Sequence, residues 1–379
     1  MKKKIAVIFG GRSAEHDVSI ITAHIPIIQS LVAIGQSEIF PIYIAKDGSW
    51  YSDQAMIELA YFKGSDFVDK ISKLKKLQLS FDGGLKIIWP GMIQKAVQID
   101  MVFPAMHGTF GEDGSLMGLL RMANVPFVGC DMFASAVAMD KVLTKQLLTA
   151  EGVPTPPYMW FLKNEWRTKK DDCMKRIAAL QYPVFVKPVH LGSSIGITKV
   201  KQLSELENAI EVAFHYDDKV LVEEGIQNLI EVTLPIIGND ELRLAAIERP
   251  LNKSEFFDFS DKYLKGGKKG GGANSEYSEI PAKIDDDVAQ EVRKFAEKTY
   301  RVLGCSGIAR VDFLIDEKRK QVYVIEVNTL PGSLYHHNWK KVGLSGVELV
   351  GTLVRLAEER YAEQRNVVYT FQSDILSKL

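Results

Sequence analysis

Two short runs late in the chain carry the residue types best suited to chemistry: Gly307-Ile308-Ala309-Arg310-Val311-Asp312-Phe313, and Val322-Tyr323-Val324-Ile325-Glu326-Val327-Asn328 with Thr329-Leu330-Pro331-Gly332 after it. Both are rich in β-branched and aromatic residues, and the polar link up to Gln321 allows a reversal, so they predict an antiparallel strand pair. Residues two apart in a strand share a face. Arg310 therefore stands beside Asp312 and Glu326 beside Asn328, with the apolar neighbours turned the other way. Two carboxylates, a carboxamide and a guanidinium on one face form a hard oxygen set suited to Mg²⁺, which takes one or two protein carboxylates and fills its other positions with water and phosphate oxygens. Alternating charge on a strand is most often only a solvated face. Against that stands the ending Asn328-Thr329-Leu330-Pro331-Gly332, a tight turn whose N–H groups can hold a developing oxyanion.

Elsewhere the chain supplies candidate phosphate binders. The strand-like Pro183-Val184-Phe185-Val186-Lys187-Pro188 runs into His190-Leu191-Gly192-Ser193-Ser194-Ile195-Gly196-Ile197, a small-residue loop able to lay its N–H groups over phosphate with Lys187 as companion charge. Lys141 opens a second helical pattern, Asp140 to Glu151. Near the start, Ile5–Phe9, Gly10-Gly11, a helix from about Ser19 to Ile34 and a strand through Ile39–Ile44 make a βαβ unit. Its Gly-Gly turn lacks the full G-x-G-x-x-G of a dinucleotide site. Glu15 and His16, and His107 in the loop after the strand Ile99–Pro104, fall at strand carboxyl ends, where open α/β sheets place ligands. As a helix N-terminal carboxylate, Glu15 also has a purely structural reading.

The positioning elements fall into three regions, 1–129, 130–223 and 224–379, with a proline-stiffened seam near Glu151-Gly152-Val153-Pro154-Thr155-Pro156-Pro157. Val125–Gly129 reads as a fourth strand of the first region, and Ile230–Ile237 with Leu242–Ile247 as a hairpin. The glycine-rich stretch Lys265–Gly272 reads as a mobile cover, with Lys262 and Tyr263 at its root. The 47 Lys and Arg against 48 Asp and Glu give no general attraction to nucleic acid or anionic membrane. Three scattered cysteines fit neither a disulfide framework nor a zinc site, which points to a reducing cytoplasm. The apolar run after Met1 is too short for a signal peptide, and no other run approaches the length of a membrane span.

Taken in order, Phe9-Gly10-Gly11-Arg12-Ser13-Ala14-Glu15-His16-Asp17-Val18-Ser19, His107-Gly108-Thr109-Phe110-Gly111-Glu112-Asp113-Gly114, Ala138-Met139-Asp140-Lys141, Val186-Lys187-Pro188, Gly192-Ser193-Ser194-Ile195-Gly196, Lys262-Tyr263, Arg310-Val311-Asp312 and Glu326–Gly332 resemble the ATP-grasp superfamily and, within it, the D-alanine:D-alanine ligases. The resemblance implies an α/β fold, α+β in its C-terminal part, with an open α/β domain ahead of the ATP-grasp. It implies ATP as co-substrate and two Mg²⁺ or Mn²⁺ ions held by Asp312, Glu326 and Asn328. Lys141 and Lys187 would bind ATP phosphates, Glu223 and the backbone of Glu224 and Ile226 the adenine, and Glu231 the ribose. Glu15, aided by His107, would meet the ammonium of the first D-alanine, and Glu15, Ser193 and Tyr263 would close the site. Lys262 would face the transferred phosphoryl group, while Arg310 and the Gly332 N–H would stabilise the tetrahedral intermediate. By the same analogy the protein is a cytoplasmic homodimer with no nucleic-acid or membrane partner.

The chain departs from the family pattern where a serine usually receives the second substrate's carboxylate. Ser333-Leu334-Tyr335-His336-His337 places His337 there instead, which leaves open a carboxylate–amine ligase with a different second substrate. A nucleotide-binding regulator without turnover is the third possibility, and it has no use for an arginine beside the metal face.

Overall fold

The structure, a computed structural model, describes residues 2–251 and 278–379. Lys262, Tyr263 and the glycine-rich stretch 265–272 lie outside the described residues.

The run from Ile5 to Phe9 is apolar on both faces because it is covered on both, as a central parallel strand must be. Lys3–Gly10 pairs in parallel with Ser37–Ile44 on one side and Met101–Pro104 on the other, and Trp50–Tyr51 adds an antiparallel edge. Gly10 ends the central strand at φ +89°, where a Cβ would lie 2.2 Å from the carbonyl oxygen of Ile44, so only glycine allows the close turn. The expected strand Val125–Gly129 reduces to one parallel bridge between Val102 and Phe127, because Pro126 removes a donor and Gly129, at φ +98°, turns the chain away.

The expected helix Ser19–Ile34 begins earlier, at His16, and is interrupted at Ile25 (φ −125°, ψ 103°), since a residue before proline is driven out of helical geometry. By length and composition the segment His16–Ile34 is long and apolar enough to cross a membrane, contrary to the expectation that no such run exists. It is mostly buried, with Ala23, Ile27, Ile28 and Leu31 in the core beneath the first sheet. The helix Gly346–Gln364, started by a capping box between Ser345 and Glu348, packs Leu349, Val350 and Leu353 into that same core. The last long helix thus closes the hydrophobic core opened by the first strand.

Besides a small sheet of Gln78–Ser80, Lys86–Trp89 and Lys95–Gln98 and the pair Arg249–Pro250 with Ser278–Glu279, two four-stranded antiparallel sheets carry the rest. One runs Thr198–Val200, Val184–Pro188, Lys219–Glu224, Tyr158–Leu162, and is covered by the helix Leu206–Tyr216 through Leu206, Ala209, Ile210 and Ala213. The other runs Leu242–Leu244, Leu229–Gly238, Gly307–Asp316, Gln321–Asn328, and packs on the helix Asp286–Val302. The expected strand pair and its hairpin neighbour are both present. Val311, Phe313 and Ile315 enter the core as strand periodicity requires, so Arg310 and Asp312 face away from it.

The partner strand achieves the same orientation by a different device. Val322 and Val324 face the core, and simple alternation would send Glu326 and Asn328 there too. A register shift opposite Asp312 and Phe313 inserts Ile325 as an extra residue, after which Val327 faces the core and Glu326 and Asn328 pair with Asp312 and Arg310.

Phe313→Ala, which empties the core behind Asp312, is expected to lower stability by about 3–5 kcal/mol in denaturant unfolding; a loss below about 1 kcal/mol would contradict this packing.

Candidate active site

The polar face of the ribbon is tightly interbonded. Arg310 Nε donates to Asp312 Oδ1 at 2.6 Å and a terminal nitrogen to Oδ2 at 2.5 Å, and the Asn328 amide donates to the same Oδ2 at 3.0 Å. The ring of Tyr335 lies under the guanidinium, 4.7 Å away. Burial works against the charge of Arg310, but Asp312 outweighs it and holds the pKa well above its ordinary value. Glu326 faces Lys141, whose Nζ is 4.0 Å from its carboxylate. Asp312, Glu326 and Asn328 thus offer adjoining hard oxygen donors, and this donor set fits Mg²⁺ or Mn²⁺.

Lys141 begins its helix behind an N-cap, Asp140, whose carboxylate accepts the N–H groups of Val142 and Leu143. Its Nζ donates to the carbonyl of Leu191 at 2.6 Å, tying that helix to the glycine-serine loop. His190 anchors the loop at its root: Nδ1 meets Asp217 at 3.0 Å and Nε2 meets Asp140 at 3.3 Å. These hydrogen bonds raise its pKa from 6.5 to about 9. Ser193 and Ser194 in the loop have left-handed backbones, φ 54° and 58°.

Lys187 is buried on its strand and bonds Glu223, which also lies 2.8 Å from Lys145. Burial alone would raise the Glu223 carboxyl, but the two lysines outweigh it and hold it at about 2. Glu223, expected at the adenine, therefore spends its carboxylate on lysines. The Glu224 N–H, also expected there, donates to the carbonyl of Pro157 at 2.9 Å. Ile226 follows in the loop after this strand, and Glu231 stands exposed on the strand Leu229–Gly238.

Glu15 accepts the Ser193 hydroxyl at 2.5 Å, joining the first sheet's loop to the glycine-serine loop. Gly108 makes room for it, since a Cβ there would come within 2.8 Å of the Glu15 carboxylate. His107 is buried, and its Nε2 meets Thr22 Oγ1 at 2.8 Å; the same hydroxyl oxygen accepts the Ser333 N–H at 3.0 Å, just past Gly332. His16, by contrast, bonds the Gly11 carbonyl and the Tyr43 hydroxyl and is structural. His337 lies beside Tyr335, its Nε2 3.0 Å from Glu248.

Residues 4–130 match the family model described as D-ala D-ala ligase N-terminus, and residues 147–355 match the one described as D-ala D-ala ligase C-terminus. The chain belongs to the D-Ala-D-Ala ligase family. A D-alanine--D-alanine ligase of Bacillus velezensis is 37% identical over 376 residues, covering 96% of this chain and 100% of the relative. Among solved structures, the D-alanine-D-alanine ligase from Coxiella burnetii superposes with a TM-score of 0.80 at 30% identity, over 96% of each chain. VanG D-Ala:D-Ser ligase from Enterococcus faecalis does so with 0.78 at 34% identity, over 94% of this chain and 100% of that one. The fold is accordingly the ATP-grasp of that family.

Four residues of this family member escaped sequence reasoning: Lys145, Glu112, Glu248 and His190. Lys145 had a signal, its place one helical turn after Lys141. Glu112 lies in the motif His107–Gly114, yet nothing in it foretells that its carboxylate accepts the N–H of Gly108 at 2.7 Å and of Leu330 at 3.4 Å, or that burial and the charge of Glu15 push it up to about 8. Glu248 had no signal.

The raised pKa of His190 makes a signed prediction. Its contribution to stability is whole below pH 6.5 and fades as pH rises through about 9. The stability difference between the parent and His190→Gln should therefore shrink from pH 6 to pH 10; a difference that grows with pH would refute the two-carboxylate clasp.

Proposed function

We propose that the protein joins two D-alanines into D-alanyl-D-alanine for peptidoglycan precursor synthesis, using ATP to activate the first carboxylate. The observation that carries this is the bulged ribbon itself: Arg310, Asp312, Glu326 and Asn328 on one face, opposite Lys141, in a chain of this family. Lys141 and Lys187 bind the phosphates, and Asp312, Glu326 and Asn328 hold the ions, which neutralise phosphate charge when bound. The ammonium of the first D-alanine sits against Glu15, with His107 behind it. Phosphoryl transfer gives an acylphosphate, and the amine of the second D-alanine attacks its carbonyl carbon. Arg310 and the Gly332 N–H receive the negative charge that develops on the carbonyl oxygen, and phosphate leaves. Lys262 and Tyr263 complete this scheme by resemblance, as do Glu224, Ile226 and Glu231 around the nucleoside. The division into 1–129, 130–223 and 224–379, the homodimer and the cytoplasmic setting belong to the same proposal, the last supported by three buried free cysteines.

A different second substrate is the alternative, and one observation favours it: His337 in place of the usual serine, held by Glu248. The experiment offers ATP and Mg²⁺ with D-alanine, D-serine, D-lactate or L-alanine, follows phosphate release and identifies products by mass. D-Alanyl-D-alanine is expected as the main product. A mixed product with D-serine or D-lactate would favour the alternative, and turnover with L-alanine alone would refute both. Arg310→Met should lower kcat by about 10²–10³-fold while the KM for ATP changes little; an equal loss in ATP affinity would remove Arg310 from the oxyanion role.

A further inference from the structure

The helix Lys141–Ala150 carries a second lysine, and Lys145 is among the largest fully buried side chains described, 1% exposed. Its Nζ lies 2.8 Å from Glu223 Oε2, while Lys187 bonds Glu223 Oε1. The contact of Lys145 is off the hydrogen-bonding angle, so it is held by charge, with the ring of Tyr158 5.3 Å from the ammonium. Glu223 is itself 1% exposed. A carboxylate at that depth is strongly destabilised if left without a counter-charge.

That cost bears on Lys187. Were Lys187 the sole partner of Glu223, moving it onto a phosphate would strand a buried anion, and the carboxylate would compete with ATP for the lysine. Two ammoniums on one carboxylate leave one positive charge in excess. With Lys145 fixed behind Glu223, transfer of Lys187 to phosphate leaves a neutral pair. Lys145 itself sits too deep to meet a ligand, whereas Lys187 retains some exposure.

We infer that Lys145 is a positioning residue for ATP: it is the permanent counter-ion of Glu223, and by holding that carboxylate it releases Lys187 to the nucleotide's phosphates. The inference rests on the reading of Lys187 as a phosphate ligand. Burial pushes the ammonium of Lys145 down and Glu223 opposes it, as a cation kept charged only by its partner requires.

The test is a cycle of Lys145→Met and Glu223→Gln, reading the Kd for ATP with Mg²⁺ by calorimetry and steady-state kinetics alongside. Lys145→Met should weaken ATP by tenfold or more, roughly 1.4 kcal/mol, and raise the KM for ATP while kcat at saturating ATP and the KM for D-alanine stay within about twofold of the parent. In the Glu223→Gln background no anion competes for Lys187, so adding Lys145→Met should then cost less than about twofold. A lysine that merely fills space would weaken ATP equally in both backgrounds, and that result overturns the inference. Should Lys145→Met alone fail to fold, the comparison of Glu223→Gln with the double variant still decides: the double variant holds neither buried charge, the Lys145 ammonium left in Glu223→Gln is already pushed down by burial and can shed its proton, and a cost well above twofold between the two overturns the inference. Failure of the parent protein to bind ATP would instead overturn the functional proposal.

Discussion

One extra residue in one strand decides whether this protein has a polar face of clustered carboxylate, carboxamide and guanidinium groups. Val322 and Val324 commit the last strand to the core, and with strict alternation Glu326 and Asn328 would be driven into it as well. Burying an unpaired carboxylate there is far costlier than a local break in the ladder, so the bulge at Ile325 is the arrangement that lets core and site coexist on one ribbon. Everything around it serves the same face: Arg310 forks onto Asp312, Tyr335 supports the guanidinium, and Lys141 approaches from another helix.

The charges of the site are arranged in matched sets, each held by parts distant in sequence. Asp140 caps the helix of Lys141 and receives both His190 and Lys219, so the helix start, the root of the glycine-serine loop and the strand Lys219–Glu224 share one carboxylate. Glu223 gathers Lys145 and Lys187 in the same manner. Single deletions in such networks leave buried charges unpaired, and their consequences exceed those of exposed ion pairs elsewhere on the surface, such as Lys175 with Asp172.

The glycine-serine loop and the turn at Gly332 are set by contacts between loops. Glu15 reaches Ser193 across the cleft, and Thr22 joins His107 to the turn that carries Gly332. Because Leu330 in that turn also donates its N–H to Glu112, and Arg360 of the closing helix binds the carbonyls of Phe127 and Gly129, the turn that carries Gly332 is located by the first sheet as much as by its own strand.

Local pattern alone determined a good deal here. The β-branched runs and their period placed Arg310 beside Asp312, the Gly-Gly turn marked the end of the first strand, and the glycines and serines after Lys187 marked a tight loop, because backbone sterics and face alternation act over a few residues. The ordered motifs carried the family. Other features belong to tertiary structure only. The bulge at Ile325 follows from core packing on both strands, whereas the interruption at Ile25 and the reduction of Val125–Gly129 to one bridge had local signals in Pro26, Pro126 and Gly129. The contacts of Lys145, Glu112 and Glu248 arise from burial and from partners up to 218 residues away. The physical reason is that a pKa, an ion pair or a counter-charge is a property of an enclosure, and an enclosure exists only once distant segments meet.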